Sequence, residues 1–288
     1  MSAVSHWKTR KLLLIATAIV VICMFVPFGH LVTYPLRLFN TFIHETGHAL
    51  ATFATGGTVL GMEVNLDTSG LAKRRGGFGP IVASAGYLAS IFMGALLLYA
   101  GRYRRWAPTT LMSLGAGTLL ATVFFAGYGS SLLAFAGFTV GCALVLGAQT
   151  RFKEKKHAQR GLNAVGGLLI AAALAYIWMI GGLLTSLIGL GMGGALILIA
   201  LYANRFIQHL AVLFLGVQIS LDGLHSVRTL WRISTQHTHI SNDAQSMADY
   251  TGIPAPFWAL LWGALGLAVI AWAFWLFWQQ DKKGKTSR

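Results

Sequence analysis

Long apolar segments follow one another along almost the whole chain, and most are long enough to cross a lipid bilayer. Residues 80–100 and 182–202, for example, contain no Asp, Glu, Lys or Arg. A helix needs about 20 apolar residues to span the hydrocarbon core of a membrane. A mean hydropathy of +0.65 and a charged fraction of 10% also lie outside the range of water-soluble chains. The sequence therefore predicts a polytopic membrane protein.

The predicted fold class is all-α, a transmembrane helical bundle with about 8–9 apolar segments in a single integral membrane domain over residues 1–288. Leu12 to Phe28 follows a basic tail, and no small-residue cleavage site comes after it. We therefore expect an uncleaved first transmembrane helix. The later segments are predicted at 34–55, 80–100, 109–126, 131–149, 162–180, 182–202, 206–224 and 254–278.

The net charge of +14 does not form a continuous basic face. Lys and Arg instead occur in short blocks between apolar segments, such as 73–75 and 102–105. Basic loops beside apolar helices are typical of membrane proteins. We therefore expect the lipid bilayer as a partner and no nucleic acid. Cys23 and Cys142 lie far apart within apolar segments, which excludes a disulfide framework and a cysteine-rich metal site.

A polar motif, His44-Glu45-Thr46-Gly47-His48, interrupts the second apolar segment. On a helix, His44 and His48 lie one turn apart on the same face, so both imidazoles can bind one Zn²⁺. The adjacent Glu45 can reach a metal-bound water without being a ligand, which is the general-base arrangement of His-Glu-x-x-His metalloproteases. One of only eight acidic residues in the chain occupies this position. The motif therefore predicts a catalytic zinc site.

A hydrolytic zinc site needs a third protein ligand and an open position for water. We prefer Asp222, because it follows a long apolar run and an ionisable group near membrane depth is costly unless it is paired or coordinating. Asp243 is the alternative, although it could simply cap a following helix. The other candidates are better explained as solvated or cavity-lining groups: Glu63, Asp67, Glu154, Asp249, Asp281, His225, His237 and His239.

A short strand pair is predicted at about 57–70, directly after the helix that carries the histidines. Gly56 and Gly57 end that helix, Thr58 to Asn65 alternates loosely, and Asp67 to Gly70 has the composition of a turn. At membrane depth, such backbone must be buried in protein or line a water-filled cavity. The pair could offer an edge to a substrate strand, and an ordinary surface loop is the alternative.

The His44–His48 motif and the later sequence Leu221-Asp222-Gly223 together resemble the site-2 protease family of intramembrane zinc metalloproteases, and in particular its bacterial peptidase M50B-like branch. The family's first motif, Phe-x-His-Glu-x-Gly-His-Ala, is complete from Phe42 to Ala49. Its second motif, Asn-x-x-Pro-x-x-x-Leu-Asp-Gly, is met only by Leu221, Asp222 and Gly223. The motif's Asn and Pro are replaced by Phe214 and Val217, and Asn242 is one candidate to substitute for that Asn.

This resemblance implies a multi-pass zinc endopeptidase of the bacterial inner membrane. It would hold one Zn²⁺ with His44, His48 and Asp222, use Glu45 as the catalytic base, and cleave transmembrane segments of other membrane proteins. Two alternatives belong to other classes. The incomplete second motif suggests a metal-binding scaffold that does not cleave, and the buried polar residues suggest a small-molecule or ion transporter. A transporter would be expected to show two repeated halves, and the sequence has none.

Overall fold

The computed structural model describes residues 3–128, 131–151, 156–179, 182–236 and 242–285. Within these ranges the chain forms ten α-helices and one small sheet of three short strands. Six helices are long and apolar enough to cross a membrane, and a bent pair, α1 and α2, would make a seventh span. The prediction of an all-α polytopic bundle is therefore confirmed.

The first two helices, α1 (Ala3–Phe25) and α2 (Gly29–Ala54), meet at an angle of 112°. Phe28, just before α2, adopts a left-handed backbone with φ of 61°, which turns the chain sharply. Pro27 and Pro35 lie near the junction of the first two predicted apolar segments, and the sequence suggests a short link bracketed by them. Pro35 instead lies in the second turn of α2, where its missing N–H removes one hydrogen bond. The link is therefore shorter than the stretch from Pro27 to Pro35.

The predicted strand pair is present as β1 (Thr58–Val64) and β2 (Gly70–Arg75), which pair antiparallel. The second strand extends beyond the predicted range of 57–70, and its outer half consists of the basic residues 73–75. Two side chains of α2 fix the turn between the strands: Thr41 Oγ1 donates to Thr68 O at 2.8 Å, and the Tyr34 hydroxyl donates to Leu66 O. The hairpin therefore lies along the polar face of α2.

A third strand of two residues, β3 (Gly127–Tyr128), completes the sheet in the order β2-β1-β3. Its partner is the middle of β1, so β1 is the central strand. The buried hydroxyl of Thr185 accepts a hydrogen bond from Val64 N at 2.9 Å, which joins the end of β1 to a later helix. Within the described residues, β2 has a neighbouring strand on only one side.

The remaining helices follow the predicted segments closely, except near residue 225. They are α3 (Gly79–Gly101), α4 (Ala107–Phe125), α5 (Ser131–Arg151), α6 (Lys156–Met179), α7 (Leu183–Tyr202), α8 (Arg205–Gln236), α9 (Asp243–Thr251) and α10 (Ala255–Lys285). A single 3-10 turn at Arg104–Trp106 joins α3 to α4.

The described residues just after 224 are helical, whereas the many His, Thr and Ser residues between the apolar segments 206–224 and 254–278 predict a polar loop from 225 to 252. Helix α8 continues about three turns further, and α9 forms within the same stretch. The helical continuation buries Val227, Leu230 and Ser234 on one side. This i, i+3, i+7 spacing marks a half-buried helix, but many Ser, Thr and Arg residues on the other side conceal it.

Helices α2 and α3 pack very closely at Gly47. A Cβ atom at this position would lie 2.6 Å from both the carbonyl oxygen of Ala85 and the Cβ of Ala89. Real Cβ atoms essentially never come nearer than 3.0 Å, so only glycine permits this approach. The packing brings the first two turns of α3 against the face of α2 that carries the histidines.

Candidate metal centre

The two motif histidines project from one face of α2 as the spacing predicts. Their Nε2 atoms are 3.0 Å apart. Both rings are largely shielded from solvent, with side-chain exposures of 17% for His44 and 9% for His48. Two imidazole nitrogens at this separation can face one metal ion.

Neighbouring groups on α3 and α10 orient both rings. Nδ1 of His48 lies 2.7 Å from the carbonyl oxygen of Val82, so this nitrogen is the donor and Nε2 keeps a lone pair. The ring of His44 meets Tyr87 edge to face at 4.7 Å, and Tyr87 in turn stacks on Trp262 at 5.2 Å. These contacts hold the two Nε2 atoms toward the same point.

Asp243, on α9, supplies the third group. Its Oδ2 lies 3.2 Å from Nε2 of His44 and 3.3 Å from Nε2 of His48. Zinc binds nitrogen at about 2.0–2.1 Å, so two ligands at the tetrahedral angle lie about 3.3 Å apart. The three observed separations are close to that value. His44, His48 and Asp243 therefore form a cluster that could hold a metal ion.

The capping role suggested for Asp243 belongs to its neighbour. Asn242 is the N-cap of α9, and its side-chain oxygen accepts a hydrogen bond from Gln245 N at 2.9 Å. Asp243 is thus the first helical residue, and its carboxylate points to the histidines. Burial by itself raises the pKa of Asp243, but when His48 is protonated, its charge and the hydrogen bonds from both histidines lower this pKa below its ordinary value.

Asp222, our preferred third ligand, is not part of this cluster. It lies in the middle of α8, where its Oδ2 accepts a hydrogen bond from Gln218 Nε2 at 2.9 Å. Among the described residues, the only group of three potential ligand atoms within 4.8 Å of one another is formed by the histidine pair and Asp243. The geometry thus favours the alternative that the sequence left open.

The other candidates lie around this centre or away from it. Asp67 and His225 line the surrounding cavity, whereas Glu63 does not. Asp67 also shapes the hairpin turn, because its Oδ1 accepts hydrogen bonds from both the N–H and the hydroxyl of Ser69. Asp249 pairs with Gln245 on the exposed side of α9. Glu154, His237, His239 and the side chain of Asp281 fall outside the described residues.

Glu45 lies beside the cluster with 5% of its surface exposed. Ala72, on β2, lies next to its carboxylate with the backbone N–H toward it. A Cβ atom on Gly70 would lie 2.5 Å from Glu45 Oε1, so β2 packs directly against the carboxylate. The start of β2 therefore fixes the position of Glu45.

Gly86 keeps the space next to the histidine nitrogens open. A Cβ atom on this residue would lie 2.4 Å from Nε2 of both His44 and His48. Any other residue would thus force both nitrogens to move. A glycine at this point of α3 is what the metal-site hypothesis requires, since it leaves the ligand atoms accessible.

A cavity of about 690 Å³ opens onto the cluster. Its wall includes the histidines, Glu45, the turn and start of β2, the beginning of α9 and one side of α8. Gly70, Leu71 and Ala72 of β2 also line it. The cavity therefore gives an extended peptide access to the cluster beside β2.

Comparison with known families supports this site. A family model described as Peptidase M50B-like matches residues 12–151 and 125–273, which together include most of the chain. The chain belongs to the peptidase M50B-like family. Comparisons of this M50B-like chain with curated proteins and with solved structures gave no match. The resemblance inferred from the motifs is confirmed, and M50 peptidases are zinc metalloproteases.

Several residues of the M50B-like site were not found from the sequence. Val82, Gly86 and Tyr87 come from an apolar segment in which none of them stands out. Gly70 was assigned only to a turn. Nothing in the sequence marks Gly86 or Tyr87 as part of a site, because their roles depend on the close approach of α3 to α2.

Proposed function

We propose that this chain is an intramembrane zinc metalloprotease that hydrolyses peptide bonds in or near transmembrane segments of other membrane proteins. One observation carries the proposal: three potential ligand atoms at zinc-like separations adjoin a buried glutamate in an open cavity. Family membership supports the same chemistry. Six span-like helices support a location within a multi-pass membrane protein, and we propose the bacterial inner membrane.

His44, His48 and Asp243 would hold one Zn²⁺, leaving a fourth position that faces the cavity. A bound zinc ion supplies Lewis-acid activation of a water molecule and of the peptide carbonyl group. Glu45 accepts a proton from the attacking water and delivers it to the leaving amine. The start of β2 packs against the Glu45 carboxylate and keeps it in position for both transfers.

The free side of β2 is the proposed binding edge for the substrate. Strand addition supplies main-chain hydrogen bonds that do not depend on the substrate's side chains. A transmembrane helix must unwind locally to present its peptide bond, and the unwound backbone needs new hydrogen-bond partners inside the membrane. Because Gly70 and Ala72 contact Glu45, a strand paired with β2 would pass beside the catalytic base.

Zinc content and cleavage of model transmembrane substrates, measured together, test the proposal. We expect about one zinc per chain in the wild type and in Glu45→Gln, with cleavage reduced at least about 100-fold in the variant because general-base catalysis is lost. Glu63→Gln is the matched control, since this glutamate lies outside the cavity. Bound zinc without cleavage dependent on Glu45 would favour the scaffold alternative, and absence of zinc would contradict both metal-based functions.

A further inference from the structure

A second large cavity, an apolar groove, shares no lining residue with the cavity at the metal cluster. Its volume is about 720 Å³. Ile43, Thr46, Gly47 and Leu50 of α2 form its floor, and residues of α3, α4 and α10 form its walls. Phe92 and Leu96 on α3 are more than half exposed at its edge. Because α3 and α4 both qualify as membrane spans, this groove opens toward lipid.

The length of the groove matches one leaflet of a bilayer. It is lined by α3 from Ala89 to Tyr99, which corresponds to about 15 Å of helix. The hydrocarbon core of a bilayer is about 30 Å thick, so one leaflet contributes about half of that. An acyl chain lying along α3 would therefore remain in the groove over the whole depth of its leaflet.

Three arginines follow the end of α3 where the groove reaches Tyr99. Arg102 is only 9% exposed, and its guanidinium carbon lies 5.3 Å from the centre of the Tyr99 ring. Its buried Nε has no hydrogen-bond partner. Arg104 and Arg105 are exposed on the adjoining 3-10 turn. In the part of the chain that the structure describes, no carboxylate forms an ion pair with these three residues.

Aromatic residues beside the arginines mark this end of the groove as the membrane interface. The ring of Tyr103 lies 4.5 Å from that of Trp106, and Arg102 and Arg105 both lie over the Tyr103 ring. Tyr and Trp are enriched at the level of lipid headgroups. Basic pockets between transmembrane helices at that level bind anionic headgroups.

We propose that the groove binds one anionic phospholipid of the surrounding bilayer, with an acyl chain between α3 and α4 and the headgroup phosphate on Arg102, Arg104 and Arg105. The floor of this lipid site is α2 itself, and Thr46 and Gly47 belong to the histidine motif. The inference does not depend on the proposed protease activity, since binding can be measured without cleavage.

Native mass spectrometry of the full chain in detergent, with added dioleoylphosphatidylglycerol or dioleoylphosphatidylcholine, tests the site. We expect one phosphatidylglycerol to bind at least tenfold more tightly than phosphatidylcholine. The double variant Arg104→Gln and Arg105→Gln should weaken phosphatidylglycerol binding by about 30-fold, because each interfacial arginine contributes about fivefold in affinity. Its binding of phosphatidylcholine should fall much less, because the choline group cancels the charge of that lipid's phosphate. Arg232→Gln removes an exposed arginine from α8 and should change neither affinity.

A groove-filling variant gives an independent test. A Cβ atom on Gly117 meets nothing within 4 Å, so a leucine at this position can extend into the groove and should weaken binding of both lipids at least tenfold. Gly191→Leu, at an equally open position on α7, is the control. Equal binding of both lipids by the wild type would overturn the proposal. So would unchanged phosphatidylglycerol binding in the double arginine variant or in Gly117→Leu. Loss of peptide cleavage in Gly117→Leu with unchanged lipid binding would assign the groove to a substrate helix instead.

Discussion

Replacing Gly86 by alanine should remove the metal while leaving the bundle folded. The added methyl group would lie 2.4 Å from Nε2 of His44 and of His48, about 0.6 Å closer than Cβ atoms come to other heavy atoms. Both nitrogens must therefore move by several tenths of an ångström, whereas metal–ligand distances tolerate only about 0.2 Å. Loss of a single group that orients a ligand typically costs about 10- to 100-fold in metal affinity. Displacement of two ligands should cost at least about 100-fold.

The assay for Gly86→Ala is zinc affinity by competition with a chelator, read by elemental analysis of the purified protein. Gly191→Ala is the matched control, because a methyl group at that position of α7 meets no atom within 4 Å. Size-exclusion chromatography in detergent checks that both variants remain monodisperse. Wild-type zinc affinity in Gly86→Ala would refute the argument that this glycine keeps the space at the histidine pair open.

Three further predictions concern the same site. Asp243→Asn should lose zinc, because Asp243 completes the one potential ligand cluster found among the described residues, whereas Asp222→Asn should keep it; elemental analysis would contradict this if the two results were reversed. Gly70→Ala should retain zinc and slow cleavage by about 100-fold, since its methyl group displaces Glu45 and misplacement of a catalytic group by about 1 Å has that effect. Tyr87→Phe should leave zinc content unchanged, because Tyr87 contacts His44 through its ring and not through its hydroxyl; a loss of zinc would show that the hydroxyl contributes.

The helices were largely predictable because a bilayer imposes a simple rule on sequence. Segments of about 20 apolar residues must be helical where they meet lipid. The proposed ligands His44 and His48 and the proposed base Glu45 could equally be selected from the sequence, since they lie on a single helix and their spacing fixes their relative directions. The strand pair after α2 could also be predicted from its glycines and its turn composition.

The third member of the cluster could not be chosen from sequence alone. Asp222 was preferred because it follows a long apolar run. Its place in a Leu-Asp-Gly sequence, as in the family's second motif, supported the same choice. What decides between Asp222 and Asp243 is the length of α8, which continues to Gln236 so that the following short helix begins at the histidines. That continuation depends on the burial of Val227 and Leu230 against other helices, a tertiary effect that periodicity in a polar segment does not reveal.

X-ray absorption at the zinc edge of the wild-type protein would test the proposed metal centre most directly. Two imidazoles and one carboxylate predict a first shell of nitrogen and oxygen atoms at about 2.0–2.2 Å, with imidazole scattering from two rings and no sulfur. In Asp243→Asn the zinc signal should be lost, whereas in Asp222→Asn the spectrum should be unchanged. A wild-type protein without zinc, or a spectrum that changes with Asp222 and not with Asp243, would contradict the account.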